Sequence, residues 1–74
     1  MDNEILKWFG ERVRAKRIEV GLSQEQLGQK TGLDRTYISG IERGLRNIGL
    51  INVHKIAAAL DVSAASLMAG TFHG

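Results

Sequence analysis

The stretch Ser23-Gln24-Glu25-Gln26-Leu27-Gly28, continued through Gly32-Leu33 to Thr36-Tyr37-Ile38-Ser39-Gly40-Ile41, decides the fold of this chain. Counted from Gln24, an apolar residue stands fourth (Leu27), a small one fifth (Gly28), glycine ninth (Gly32), and apolar residues tenth, fifteenth and eighteenth (Leu33, Ile38, Ile41). Two short helices crossing at roughly 100° approach most closely at the crossing, so Gly28 removes the side chain that would hold them apart. The turn between them needs one residue at positive φ, where a Cβ clashes, and Gly32 supplies it. Leu27, Leu33, Ile38 and Ile41 are then expected to bury the seam.

This spacing is that of a helix-turn-helix, in which the second helix presents its outer face to the major groove of DNA, with a small helical hairpin of another kind as the alternative. The surrounding chain is compatible with it. Apolar residues recur with helical period throughout, and no alternating strand pattern, proline, repeat or linker-like segment interrupts them. A first helix is expected from about Glu4 to Val20, with Ile5, Phe9, Val13 and Val20 on one stripe and a stop at Gly21. Ser23 and Gln26 form a capping box opening the second helix, which ends near Lys30. Asp34 caps the third, the recognition helix at about residues 34–43, halted by Gly44. Leu50, Val53, Ile56, Ala57 and Leu60 give a fourth helix an apolar face that ends at Asp61. Ser63 caps a short fifth helix carrying Leu67 and Met68, and Thr71 to Gly74 reads as a frayed tail. The expected architecture is all-α, with five helices in one domain over residues 1–74.

Seventy-four residues bury a core worth only a few kcal/mol net, so good helix packing or a partner subunit must contribute. The absence of cysteine excludes disulfides and thiolate metal sites. No apolar run approaches the ~20 residues that span a bilayer, and no signal-peptide pattern opens the chain, so a cytoplasmic location without membrane contact is expected. The net charge of +2 identifies no partner by itself. Its distribution is more informative: between residues 30 and 55, Lys30, Arg35, Arg43, Arg46 and Lys55 face only Asp34 and Glu42. His54 and His73 have no carboxylate at ligand spacing, and no nucleophile with a base emerges. Neither a metal, a cofactor, a small-molecule ligand nor an enzymatic reaction is expected.

Two charges fall on apolar stripes. The series Ile5, Phe9, Val13 continues to Arg17, and Glu42 lies one turn after Ile38 and beside Ile41. A guanidinium facing a core is very costly unless paired, so Arg17 and Glu42 are expected to meet as a structural ion pair. The alternative, in which both snorkel to water, stays open.

Val13-Arg14-Ala15-Lys16-Arg17-Ile18, then Gly21-Leu22-Ser23-Gln24, with Glu42 ending the third helix, resembles the Xre/Cro family of phage repressors. The stretch Leu33 to Gly44 with Arg46-Asn47 is further similar to the controller proteins of restriction-modification systems. The likeness covers about residues 9 to 68. It implies a lambda-repressor-like fold and a sequence-specific transcription regulator acting on a double-stranded DNA operator, with RNA polymerase as a further partner where it activates. One departure is Gly49, where many relatives carry Ser or Thr, which weakens the start of the fourth helix.

With Ile38 at the centre of the inward face, a 100° step places Thr36, Gly40 and Arg43 outward and Tyr37 and Ser39 at the margins. Arg35, in the first turn, reaches forward. Arg reads guanine through O6 and N7 and Thr contacts a thymine methyl, so Arg35 and Thr36 are expected as base readers, with phosphate neutralisation as the alternative for Arg35. Tyr37 lies off the apolar centre and the resemblance implies a place near the sugar-phosphate backbone, with core packing as the alternative. Gln24, opening the second helix, is expected at a phosphate, with solvent exposure as the alternative. Gly40 would allow close backbone approach to the duplex, or be incidental. The resemblance implies backbone or flanking-base contacts for Arg46 and Asn47. Trp8 is expected to pack on the first helix.

One half-site contact is weak, and a two-fold pair reads half-sites about 34 Å apart. Ile51, Val62, Ala65 and Met68 are left over from the expected core and form a candidate homodimer interface, with local packing under the last helix as the alternative. The resemblance to controllers implies binding to the protein's own promoter. A phage-type or chromosomal Xre repressor, or an antitoxin, is the first alternative, and a helical interaction adaptor without DNA binding the second.

Overall fold

Capping side chains and residues in the left-handed backbone region set the helix ends. The computed structural model describes residues 2–69, in which five helices follow in order: α1 (Asp2–Glu19), α2 (Gln24–Thr31), α3 (Arg35–Glu42), α4 (Leu50–Ala59) and α5 (Ala64–Leu67). No strand occurs among the described residues, and the all-α, lambda-repressor-like expectation holds. The tail reading for Thr71 to Gly74, with His73, lies outside the described residues.

At the start of α2 the capping box closes in both directions: the Gln26 amide donates to Ser23 Oγ at 3.0 Å, and the Ser23 amide donates to Gln26 Oε1 at 2.8 Å. Asp34 Oδ2 accepts from the Thr36 amide at 2.8 Å, and Ser63 Oγ from the Ser66 amide at 2.9 Å. Gly49 offers α4 no side-chain cap, as its lack of a side chain requires. Gly32 stands at φ 75°, and its amide donates to the Gly28 carbonyl at 2.8 Å, closing α2. Thr31 reinforces the turn, its hydroxyl donating to the Leu27 carbonyl at 2.8 Å and accepting from the Leu33 amide at 3.2 Å. A Cβ on Gly28 would lie 2.7 Å from the Leu33 carbonyl oxygen, which is the close approach that the motif demands.

The core gathers Phe9 and Val13 from α1, Leu27 from α2, Ile38 and Ile41 from α3, Val53, Ile56, Ala57 and the cap Leu60 from α4, and Leu67 from α5. Leu33 packs against it only partly buried. Three expected core residues do not join it: Ile5, Val20 and Leu50 are 43%, 41% and 82% exposed. A step of four residues overshoots a helical turn by about 40°, so Ile5 has rotated about 80° away from Val13. Val20 lies past the end of α1, where the Leu22 amide turns back to the Arg17 carbonyl. Leu50 opens α4 about 120° away from Ile56.

Two glycines set how α1 meets α3. A Cβ on Gly10 would come within 2.2 Å of the Ile41 carbonyl oxygen, and one on Gly44 within 2.7 Å of Lys7 Cα. The middle of α1 therefore lies directly on the backbone at the end of α3 and orients it. At the other end of the chain Arg12 Nε donates to the Leu67 carbonyl at 2.6 Å, tying α5 to α1, while its guanidinium sits 5.3 Å from the Trp8 ring centroid. Trp8 packs, half-buried, on α1 as expected.

Candidate nucleic-acid interface

Beneath α3, Arg17 and Glu42 meet. Arg17 Nε donates to Glu42 Oε2 at 2.6 Å and Nη2 to Oε1 at 2.9 Å, while Nη1 caps the Leu22 carbonyl at 2.8 Å. The Glu42 side chain is only 2% exposed, which excludes the snorkelling alternative. The hydrogen bond and charge of Glu42 hold the Arg17 guanidinium above its ordinary pKa, outweighing the opposing effect of burial. All five guanidinium protons are not needed for this geometry: a planar fork matched to a carboxylate fixes both distance and rotation. The pair thus joins α1 to the last turn of α3 as a rigid strut.

Gln24 is drawn into the same cluster. Its side-chain amide donates to Glu42 Oε1 at 3.1 Å, and the residue is half-buried. One of its two amide protons is engaged by the strut, and the residue also opens α2.

On the outer side of α3, Arg35, Thr36 and Arg43 are exposed, Ser39 is half-buried, and Arg46 and Asn47 are exposed in the following loop. Among the described residues only Lys16 with Glu19 and Arg17 with Glu42 form ion pairs, so the guanidinium charges of Arg35, Arg43 and Arg46 stay uncompensated. A groove-facing surface needs this: cations free to replace counterions on phosphates and to aim forked donors at base edges.

Two residues sit deeper than expected. Gly40 is buried rather than bared to a duplex, because the Arg46 side chain lies across it: a Cβ there would be 2.9 Å from Arg46 Cγ. Tyr37 is half-buried and packs against the core with its ring, and its hydroxyl accepts from Asn52 Nδ2 at 3.2 Å. The phenol proton remains available as a donor, so core packing and a phosphate contact are compatible roles for one residue. Asn52 carried no local signal, since its partner is fifteen positions away. Gly10 and Gly44 were legible in principle, as glycine inside or just past a helix marks a close approach.

The proposed interface residues divide by exposure. Ile51 and Met68 are 73% and 48% exposed and Ala65 is exposed, whereas Val62 is half-buried against the core. No described helix is long and apolar enough to cross a membrane.

A tight helix pair with an uncovered cationic outer face, fixed to a first helix by a buried ion pair, defines a helix-turn-helix domain. The chain belongs to the helix-turn-helix family (HTH_3), whose profile matches residues 13–67. It is 46% identical over 69 residues to the control protein C.BamHI of Bacillus amyloliquefaciens, covering 92% of this chain and 85% of that one. The solved structure of the restriction-modification controller protein C.AhdI from Aeromonas hydrophila superimposes with a TM-score of 0.82 at 50% identity, covering 84% of this chain and 94% of that one. The biofilm master regulator SinR, solved in complex with DNA, superimposes with a TM-score of 0.78 at 37% identity, covering 82% of this chain and 98% of that one. These relatives are transcription regulators, not enzymes, and the resemblance to controller proteins stands.

Proposed function

We propose that this chain is a restriction-modification controller that binds a pseudo-palindromic operator as a homodimer in the cytoplasm and regulates its own promoter. The observation that carries the reading is the uncompensated face of α3. Arg35 and Thr36 stand exposed in its first turn, where they would meet base edges, and Arg43, Arg46 and Asn47 follow where phosphates would lie. Tyr37 and Ser39 flank this surface, and the α2 N-terminus at Gln24 supplies a further phosphate contact. The identities to the control proteins C.BamHI and C.AhdI, 46% and 50%, exceed the 37% to SinR and support the controller reading, while the controller C.Esp1396I, at 40%, stands near SinR. Two copies related by a two-fold axis, meeting through Ile51, Val62, Ala65 and Met68, would place two recognition helices about 34 Å apart.

Selection from a randomised duplex library tests this directly. The expected product is a two-fold symmetric sequence bound with a steep inverse dependence on salt, and the same sequence upstream of the chain's own gene. Selection of no sequence above background would overturn the reading.

A further inference from the structure

Four residues from three segments converge on one spot beside the recognition helix. Arg46 leaves the loop after α3 and folds back over it, with Cγ and Nε 2.9 and 3.2 Å from the position of a Cβ on Gly40. Its guanidinium carbon sits 5.9 Å from the Tyr37 ring centroid. Asn52 of α4 donates to the Tyr37 hydroxyl at 3.2 Å and so holds the ring from its far end. The Leu45 amide, donating to the Gly40 carbonyl at 2.8 Å, brings the loop back to that point.

We propose that Gly40 and Asn52 are positioning residues for DNA recognition: Gly40 is the seat on which the Arg46 side chain lies, and Asn52 fixes the Tyr37 ring against which its guanidinium rests. This rests on the DNA-binding reading and extends it to two residues that touch no DNA themselves. A glycine inside an eight-residue helix is unfavourable for the helix, yet a Cβ there would lie 2.9 Å from Arg46 Cγ, so any larger residue forces the Arg46 side chain to shift from this position. A long exposed arginine otherwise samples many rotamers, all but one of which are lost on binding. Resting it on a glycine and beside an aromatic ring restricts it in advance, and restriction in the bound conformation raises affinity without a new contact. Because Arg46 is exposed and unpaired in any ion pair among the described residues, the seat orients its charge without neutralising it.

The test compares Gly40→Ala, Arg46→Ala and the double variant in the full chain. In the wild type, the Arg46 side-chain proton resonances are expected to be shifted upfield by the Tyr37 ring. In Gly40→Ala that shift is expected to vanish, with a thermal midpoint no lower than wild type, since alanine favours the helix. Affinity for the duplex selected by the wild type should fall roughly five- to thirty-fold in Gly40→Ala and in Arg46→Ala, and no further in the double variant. Asn52→Ala should weaken the shift and the affinity in the same direction. An unshifted Arg46 in the wild type, an intact shift in Gly40→Ala, or losses that multiply in the double variant would overturn the seat. A wild type with the shift that binds no selected duplex would instead overturn the DNA reading. If Gly40→Ala does not fold, Asn52→Ala with Arg46→Ala probes the same stack through a residue outside the DNA contact: losses that do not multiply support the unit, and losses that multiply overturn it.

Discussion

Arg17 and Glu42 form a two-pronged ion pair between the last turn of α1 and the last turn of α3, with N to O distances of 2.6 and 2.9 Å. Its partners are on neighbouring helices, 25 positions apart in the chain, and the third prong of Arg17 closes on the Leu22 carbonyl. A carboxylate removed from this setting leaves a guanidinium facing a core with nothing to neutralise it. Glu42→Ala is therefore expected to cost roughly 3 to 5 kcal/mol in a urea melt, close to the whole stability of a domain this size. Glu42→Gln, which keeps an acceptor, should cost less. A loss under about 1 kcal/mol for Glu42→Ala would mean that the pair contributes like an exposed one.

The pH behaviour follows from the direction of the Arg17 shift. A cation whose pKa is raised on folding stabilises the fold at all pH values below its unfolded pKa, and that contribution is lost only as pH climbs through the folded value. Since both lie at the alkaline extreme, the stability difference between wild type and Arg17→Met should stay constant from neutral pH to about pH 10. Paired urea melts across that range check it, and a difference that shrinks by half would contradict the assignment.

Gly10 offers a sharper test of the helix packing. The added methyl of Gly10→Ala would meet the Ile41 carbonyl oxygen at 2.2 Å and the Glu42 carbonyl oxygen at 2.7 Å, both backbone atoms that cannot swing aside. Alanine's better helix propensity is outweighed, and a net loss of about 2 to 3 kcal/mol is expected by thermal or urea melting. At Gly49 a methyl would meet nothing within 4 Å, and the residue lacks a capping side chain. Gly49→Ser should stabilise by a few tenths of a kcal/mol.

These positions also show what was legible in the chain itself. The turn from Ser23 to Ile41 constrains itself through local rules of capping, glycine and spacing, so its helices, the Asp34 cap and the Gly32 turn could be read residue by residue. The ion pair was legible for another reason: two charges on apolar stripes have few ways to be satisfied. Other contacts between distant segments left no such trace. Nothing near Asn52 points to Tyr37, and nothing near Arg46 shows that it folds back onto Gly40 rather than leaving that glycine to the duplex. Leu50 failed for a simpler reason, because apolar residues in the first turn of a helix fit a periodic pattern whether or not another element covers them.

Arg35 stands exposed at the first position of α3 with no ion pair among the described residues, as the proposed base-reading role requires. Arg35→Ala is expected to lower specific affinity by about 1 to 3 kcal/mol and to relax preference at one base pair in each half-site. Binding-site selection with the variant distinguishes this from a phosphate contact, which would lower affinity uniformly and leave the selected sequence unchanged.

The last expectation concerns assembly. Leu50 and Ile51 in the first turn of α4 and Met68, the cap of α5, are 82%, 73% and 48% exposed apolar residues in a chain whose own core is small. Covering them with a second copy would add burial that the monomer cannot supply, and a two-fold arrangement would let each residue meet its own counterpart or near neighbour. Arg12 holds the end of α5 to α1 through the Leu67 and Ser66 carbonyls, so Ala65 and Met68 sit on or beside an anchored element. A homodimer is expected at micromolar concentration, with Ile51, Val62, Ala65 and Met68 at the contact. Because an isologous contact repeats every substitution, Ile51→Asp or Met68→Asp introduces two charges at once, and both should shift sedimentation towards monomer and weaken operator binding while preserving the helical circular dichroism. Leu45→Asp, at a residue 62% exposed in the loop after α3 and outside the proposed contact, should leave the assembly unchanged. A wild type that is monomeric at tens of micromolar, or aspartate variants at positions 51 and 68 that remain fully dimeric, would place the two-fold contact elsewhere on the chain.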